Sequence, residues 1–223
     1  MTVKNWIWDL DGTLLDSYGS IVSSLMLLNG ERGISDSEEE VIKAVKRGSV
    51  SAYLRGLSER YGESAEELFR RYQQISHRNL ETITLMPGAI ETLRGLRNAG
   101  ALHFVYTHRG QSTFGVLERL ELMPYFTEIV TFENGFKPKP SGEGVAYLAK
   151  KHRMDPAQTA YVGDRTLDVY CAKDAGVQAI LFLPPDSCVI PTGLEDRIVK
   201  SLGELCESGN GKGAGFAGRP SHL

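Results

Sequence analysis

The sequence predicts an α/β fold, doubly wound around a mostly parallel five-stranded core sheet and interrupted by an inserted all-helical cap. Three observations carry that expectation. From residue 86 onward, short β-rich runs alternate with longer helical patterns, as repeated βαβ units do. Residues 17–85 break the alternation and show helical periodicity only. A Trp-containing apolar run near the N-terminus ends abruptly in Asp9-Leu10-Asp11-Gly12-Thr13, a polar cluster at what reads as a strand tip.

The elements follow in order. Strands are expected at 4–9, 102–107, 127–132, 159–163 and 177–182. Between them Pro87-Gly88 opens a helix through Ala99, Ser112 starts one to about Leu120, Ser141 caps one reaching Lys151, and Thr166 leads one to Ala175-Gly176. In the insertion, apolar positions recur at helical spacing in four groups: Ile21, Val22, Leu25 and Leu28; Val41, Ile42 and Val45; Leu54 and Leu57; Leu68, Phe69, Tyr72 and Ile75. The expected organisation is therefore a Rossmann-like core of residues 1–16 and 86–205, a helical cap of 17–85, and a Gly-rich flexible tail of 206–223. Because the insertion leaves and re-enters beside the first strand, it can cover that strand's end as a lid.

Composition narrows the function. With 223 residues, 41% hydrophobic and 24% charged, and a net charge of −3, the chain is that of an ordinary soluble domain with an insertion. Its basic clusters are two or three residues long, so neither nucleic acid nor an anionic membrane is an expected partner. No apolar run approaches the length needed to span a bilayer. Cys171, Cys188 and Cys206 lie 17 and 18 residues apart, odd in number and without metal-finger spacing, which suits reduced thiols in the cytoplasm. The tail contains Gly213-Ala214-Gly215-Phe216-Ala217-Gly218, a literal GxGxxG, but no strand precedes it and only five residues follow. It is rejected as a nucleotide site.

In an open parallel sheet, ligands bind beyond the carboxyl ends of the strands. The residues at those ends form a coherent chemical set. Asp9 and Asp11 lie two apart, so their side chains point to the same side of the first strand and ask for a cation between them. Thr107 ends the second strand, Lys137-Pro138-Lys139-Pro140 follows the third, and Gly163-Asp164 ends the fourth with Asp168 one helical turn on. Together they can move a phosphoryl group. Asp9 is the candidate nucleophile, forming an aspartyl-phosphate, and Asp11, its pKa raised by the neighbouring carboxylate, the candidate acid and base. Asp164 completes a hard oxygen site for Mg²⁺ with an Asp9 oxygen and the Asp11 main-chain carbonyl. Thr107 and Lys137 are candidates for holding phosphate oxygens, with His108 a further substrate-binding candidate. Asp168 is placed to orient Lys137 or metal-bound water from just outside the reacting groups.

With these motifs in order, DLDGT at Asp9–Thr13, the threonine of VYTHR at Thr107, the lysine of K-P-x-P at Lys137 and GDxxxD at Asp164 and Asp168, the chain resembles the haloacid dehalogenase superfamily of phosphatases. The insertion looks like the small helical cap of the phosphoglycolate phosphatase-like branch. The resemblance implies nucleophile Asp9, acid/base Asp11, phosphate-binding Thr107 and Lys137, and metal ligands Asp9, Asp11 and Asp164. Lys139 falls at the variable position of K-P-x-P, so the lysine role is assigned to Lys137. His108-Arg109-Gly110 departs from the branch's usual sequence after the threonine. The cap would recognise the leaving group, and Arg47, within Lys46-Arg47-Gly48-Ser49 between two cap helices, is the substrate-binding candidate there.

The expected activity is Mg²⁺-dependent hydrolysis of a small phosphorylated metabolite by a cytoplasmic monomer or homodimer. Two alternatives stand beside it: a sugar-phosphate mutase, which uses the same residues but excludes water from the aspartyl-phosphate, and a non-catalytic binding module of the same fold.

Overall fold

The computed structural model describes residues 2–207. The GxGxxG segment and most of the expected tail lie outside the described residues. The first strand, β1 (Asn5–Trp8), alternates its side chains: Trp6 and Trp8 enter a core on one side of the sheet and Ile7 a core on the other. A residue buried on both faces belongs in the middle of a sheet, and β1 is central. It pairs in parallel with β4 (Leu102–Tyr106) and with β6 (Thr159–Gly163). The sheet extends through β5 (Phe126–Val130) beyond β4, and through β7 (Gln178–Phe182) and β8 (Arg197–Val199) beyond β6. Its order is β5-β4-β1-β6-β7-β8, with every pairing parallel.

The sheet thus has a sixth strand where five were expected. Arg197-Ile198-Val199 is too short to show a period, and what makes it a strand is the open edge of β7 beside it. The helices are α5 (Ala89–Asn98), α6 (Ser112–Arg119), α7 (Glu143–Lys151) and α8 (Thr166–Asp174). Apolar residues of α5 and α6 join the Trp6/Trp8 core, and those of α7 and α8 join the Ile7 core. A last short helix, α9 (Glu204–Glu207), buries Leu205 in the former.

Four helices fill the insertion: α1 (Tyr18–Glu31), α2 (Glu38–Arg47), α3 (Val50–Tyr61) and α4 (Ala65–Arg78). They share a core that includes Leu25, Leu28, Val41, Leu54, Leu57, Leu68 and Ile75, the positions the helical periodicity marks. Ser37 caps α2 in a capping box with Glu40, and Ser49 caps α3 through the Ala52 N–H. The chain enters and leaves this bundle through a two-stranded antiparallel ribbon not expected from sequence, β2 (Leu15–Asp16) against β3 (Thr84–Leu85). Two-residue strands carry no readable alternation. Their pairing ties the cap to the tip of β1.

The Trp6/Trp8 core encloses an imidazole. His103, on β4, is 1% exposed; its Nδ1 accepts from Trp8 Nε1 at 3.0 Å and its Nε2 donates to the Leu93 carbonyl at 3.1 Å. A proton on Nδ1 would oppose the indole N–H, and burial brings the imidazole pKa down to about 4 from 6.5. The folded state holds the neutral ring while the unfolded chain takes up a proton below 6.5. The stabilisation is therefore complete above pH 6.5 and is lost as pH falls toward 4. Relative to His103→Gln, the wild type is expected to lose about 3 kcal/mol between pH 7 and pH 4, measured by urea unfolding at a series of pH values. Parallel pH curves for the two proteins would overturn this assignment.

Candidate active site

The carboxyl ends of β1, β4 and β6 lie side by side because those strands are neighbours in the sheet, and they bring Asp9, Thr107 and Asp164 to one place. After β1 the chain turns at once: the Leu10 carbonyl accepts from the N–H groups of Thr13, Leu14 and Leu15, and Gly12 N–H donates to Leu15. Gly12 sits at φ +83°, and a Cβ there would lie 2.4 Å from Asp164 Oδ2. Glycine is therefore required both for the turn and for the approach of Asp164. At Gly163 a Cβ would lie 2.3 Å from the Asp168 side chain, so the glycine of GDxxxD lets α8 fold back onto the strand tip.

Asp9, Asp164 and Asp168 offer carboxylate oxygens that all lie within 4.8 Å of one another, and all three residues are buried. Their partners differ. Asp168 is satisfied: Oδ1 accepts from Lys139 Nζ at 2.8 Å and Tyr161 OH at 3.3 Å, and Oδ2 from the Arg165 N–H at 3.0 Å. Burial raises its pKa, but Lys139 and Arg165 prevail and hold it below the usual carboxylate range. Asp9 Oδ1 is ion-paired to Lys139 at 2.8 Å, whereas Oδ2 is buried without a hydrogen-bond partner and has only the Arg165 guanidinium at 3.6 Å. Burial pushes the Asp9 pKa up against the pull of Lys139. Asp164 accepts from Tyr18 OH at 2.7 Å and Thr13 Oγ1 at 3.4 Å, and burial lifts its pKa to about 7 against the pull of Arg165.

An orphaned carboxylate oxygen next to a second carboxylate this costly to ionise is a site short of positive charge. Hard oxygen donors of this kind suit a magnesium ion, which Asp9 and Asp164 would hold. Asp168 is committed to Lys139.

Four features depart from the sequence expectations. The first is the lysine. Lys137 is exposed, whereas Lys139 is buried with its ammonium between Asp9 and Asp168 and about 5 Å from the ring centroids of Tyr106 and Tyr161, at 5.4 and 5.2 Å. The loop after β5 decides this. Glu143 takes the Lys137 N–H, Tyr106 OH donates to the Lys137 carbonyl, and the turn closed from Ser141 N–H to the Pro138 carbonyl directs Lys139 inward. The second is His108. Its Nε2 accepts from the Lys139 backbone N–H at 2.8 Å, and burial, helped by Lys139 and Arg165, depresses its pKa to about 3. His108 thus props the lysine loop as a neutral ring.

The third is Asp11. Burial favours its protonation, but Arg109 outweighs this and lowers the pKa, the reverse of the rise expected from carboxylate proximity. The guanidinium forks onto the carboxylate, Nη2 at 2.6 Å and Nε at 3.2 Å from both oxygens. The fourth is the cap. Arg47 is exposed, and its neighbours make the contacts: the Gly48 carbonyl accepts from Arg165 Nη1 of the core at 3.3 Å, and the Lys46 ammonium stands 4.8 Å from the ring centroid of Tyr18, which itself bonds Asp164.

Thr107 is buried where expected. Its N–H donates to the Val130 carbonyl, and its Oγ1 accepts from the Arg109 N–H at 3.1 Å, leaving the hydroxyl hydrogen to donate elsewhere. Tyr18, Arg109, Lys139 and Arg165 were not found by sequence reasoning. Arg165 and Lys139 occupy variable positions of their motifs, and Tyr18 belongs to the cap. Only Arg109 left a trace, as part of an atypical tripeptide after Thr107.

The sequence and fold resemble those of known hydrolases. A family model described as haloacid dehalogenase-like hydrolase matches residues 6–182. The chain is 26% identical over 208 residues to the pyrophosphatase PpaX of Oceanobacillus iheyensis, covering 92% of this chain and 96% of that one. It is 28% identical over 187 residues to a phosphoglycolate phosphatase of Pseudomonas fluorescens, covering 78% of this chain and 67% of the relative. Among solved structures, a hydrolase from Streptococcus pneumoniae is 31% identical with a TM-score of 0.59, covering 82% of this chain and 94% of that one.

Proposed function

Because the chain belongs to the haloacid dehalogenase-like hydrolases, we propose that it is a Mg²⁺-dependent phosphatase of small phosphate monoesters working through an aspartyl-phosphate on Asp9. The observation that carries this reading is the state of Asp9. It is a buried carboxylate with one oxygen anchored by Lys139 and the other without a hydrogen-bond partner, beside Asp164. A carboxylate serving only structure would have both oxygens satisfied, as Asp168 does.

An Asp9 oxygen forms a bond to phosphorus as the ester P–O bond breaks, and the leaving alkoxide takes a proton from Asp11, which must first part from Arg109 and take up that proton. Water then attacks the acyl-phosphate phosphorus and gives a proton to Asp11, and the bond to Asp9 breaks to release inorganic phosphate. Lys139 keeps the nucleophile oriented, and the Thr107 hydroxyl supplies a donor for a phosphate oxygen. Magnesium, when bound, cancels the repulsion between the anionic nucleophile and the phosphate. Asp9 and Thr107 are each 1% exposed, and what lies over the strand tips is polar, with Tyr18 on Asp164 and Arg165 on Gly48. Substrate entry therefore requires the cap to lift, with β2–β3 as the tether about which it moves.

Relatives named phosphoglycolate phosphatase and pyrophosphatase make phosphoglycolate and pyrophosphate the substrates to try first. The test is inorganic phosphate release from a panel of phosphorylated metabolites, with Mg²⁺ and with chelator. Release with Mg²⁺ that stops with chelator is expected. Isomerised sugar phosphate without phosphate release would make the protein a mutase, and no turnover of any panel member would leave the binding-module reading.

A further inference from the structure

Arg109 forms the tightest ion pair at the mouth of the site, and the proposed reaction gives that pair no role. We propose that Arg109 is a specificity-determining residue that exchanges Asp11 for a second anionic group, a carboxylate or a phosphate, on the leaving-group side of the substrate. The inference rests on the phosphatase reading and adds the class of ester the site selects.

Geometry makes the argument. Asp11 can reach a leaving oxygen only if its carboxylate is free, yet Nε and Nη2 of Arg109 chelate it at 3.2 and 2.6 Å. The fork must open for the reaction. When it does, Arg109 retains one weak side-chain partner, Ser112 Oγ at 3.3 Å from Nη1. Its side chain is 9% exposed, against 22% for Asp11, so the guanidinium is the more buried partner and is costly to leave without a counter-charge. An anion carried in by the substrate supplies one, in the planar two-point geometry that guanidinium offers carboxylate and phosphate alike.

Position favours the leaving-group side. Lys139 and Arg165, both buried, are taken up by Asp9 and Asp168 around the nucleophile, whereas Arg109 projects from the loop after β4. A Cβ at Gly12, next to Asp11 in the chain, would lie 2.3 Å from the ring of Tyr18 in cap helix α1, so this pair sits where core meets cap, the place a leaving group would occupy. The Arg109 backbone is well held, its N–H on Thr107 and its carbonyl accepting from Phe132, so the side chain can change partners while the loop keeps its shape.

The experiment compares kcat/KM for carboxymethyl phosphate, pyrophosphate and 2-hydroxyethyl phosphate in the wild type, Arg109→Lys and Arg109→Met. The ratio of anionic to neutral substrate cancels any effect on Asp11 common to both. In the wild type it is expected to be at least about 30, and in Arg109→Met to fall to about 3 or less, chiefly through KM, with Arg109→Lys between. Which anionic substrate shows the effect identifies carboxylate or phosphate as the group recognised. A wild-type ratio near one, or equal losses on all substrates in Arg109→Met, overturns the proposal and makes Arg109 a positioning residue for Asp11.

Binding of phosphonoacetate against ethylphosphonate, measured by calorimetry, provides a readout independent of turnover. The wild type is expected to prefer phosphonoacetate and Arg109→Met to lose the preference, and equal affinities in the wild type overturn the inference. Failure of all three substrates to turn over, together with an Arg109-dependent preference in binding, would sink the phosphatase reading while leaving anion recognition by Arg109 in place.

Discussion

Replacing Lys139 with methionine is expected to lower kcat/KM for an aryl phosphate by about three orders of magnitude and to destabilise the fold by about 3–5 kcal/mol. The two losses have one origin. Lys139 is the cation shared by Asp9 and Asp168, at 2.8 Å from each, in a pocket closed by Tyr106 and Tyr161. Its charge survives burial because two carboxylates outweigh the desolvation, and its pKa rises accordingly. Without it, Asp168 loses a charge-assisted bond and Asp9 the hydrogen-bonded partner of its Oδ1. Lys139→Arg separates fold from function. It keeps the charge but not the compact head that fits between the two acids, so a folded protein with at least about tenfold lower activity is expected. Lys137→Met is the control, and as an exposed substitution it should shift stability by no more than about 0.5 kcal/mol. Phosphate-release kinetics and urea unfolding measure both quantities. If Lys137→Met is the damaging change and Lys139→Met the silent one, the site is wrongly built.

Asp9→Asn is expected to abolish phosphate release, a loss of at least about four orders of magnitude, while leaving a folded protein. An amide is a poor nucleophile, so the chemical step goes. The packing stays, because asparagine matches aspartate in volume and its carbonyl can still accept from Lys139. Removing a buried charge whose second oxygen has no hydrogen-bond partner also offsets part of what is lost in the ion pair. Thermal unfolding should therefore move by a few degrees at most, in either direction. Undiminished turnover in this variant would remove Asp9 as nucleophile, and with it the aspartyl-phosphate route.

Each sequence expectation that failed at the site failed for a local geometric reason. The K-P-x-P pattern assigns the lysine role to Lys137 because its third position is treated as free to vary, but the turn from Pro138 to Ser141 points Lys139 at the carboxylates and leaves Lys137 outside. Asp11 was expected to titrate high from its nearness to Asp9. Arg109, 98 residues away, reverses that, and no spacing in the chain announces such a pair. Arg47 was chosen in the cap for its charge, yet the contact its segment makes with the core uses the main-chain carbonyl of Gly48. A backbone oxygen has no sequence signature.

The sequence by itself determined the repeat of strand and helix, the helical insertion between the first strand and the rest, and the placing of Asp9, Thr107 and Asp164 at strand tips, because periodicity and the polar ends of apolar runs are properties of neighbouring residues. Only the tertiary structure decided the sixth strand, the β2–β3 tether, and the cations that each acid meets, Lys139 and Arg165 for Asp9 and Arg109 for Asp11. Charge pairing depends on distance in space within a low-dielectric interior, and that distance exists only once the strands are laid side by side.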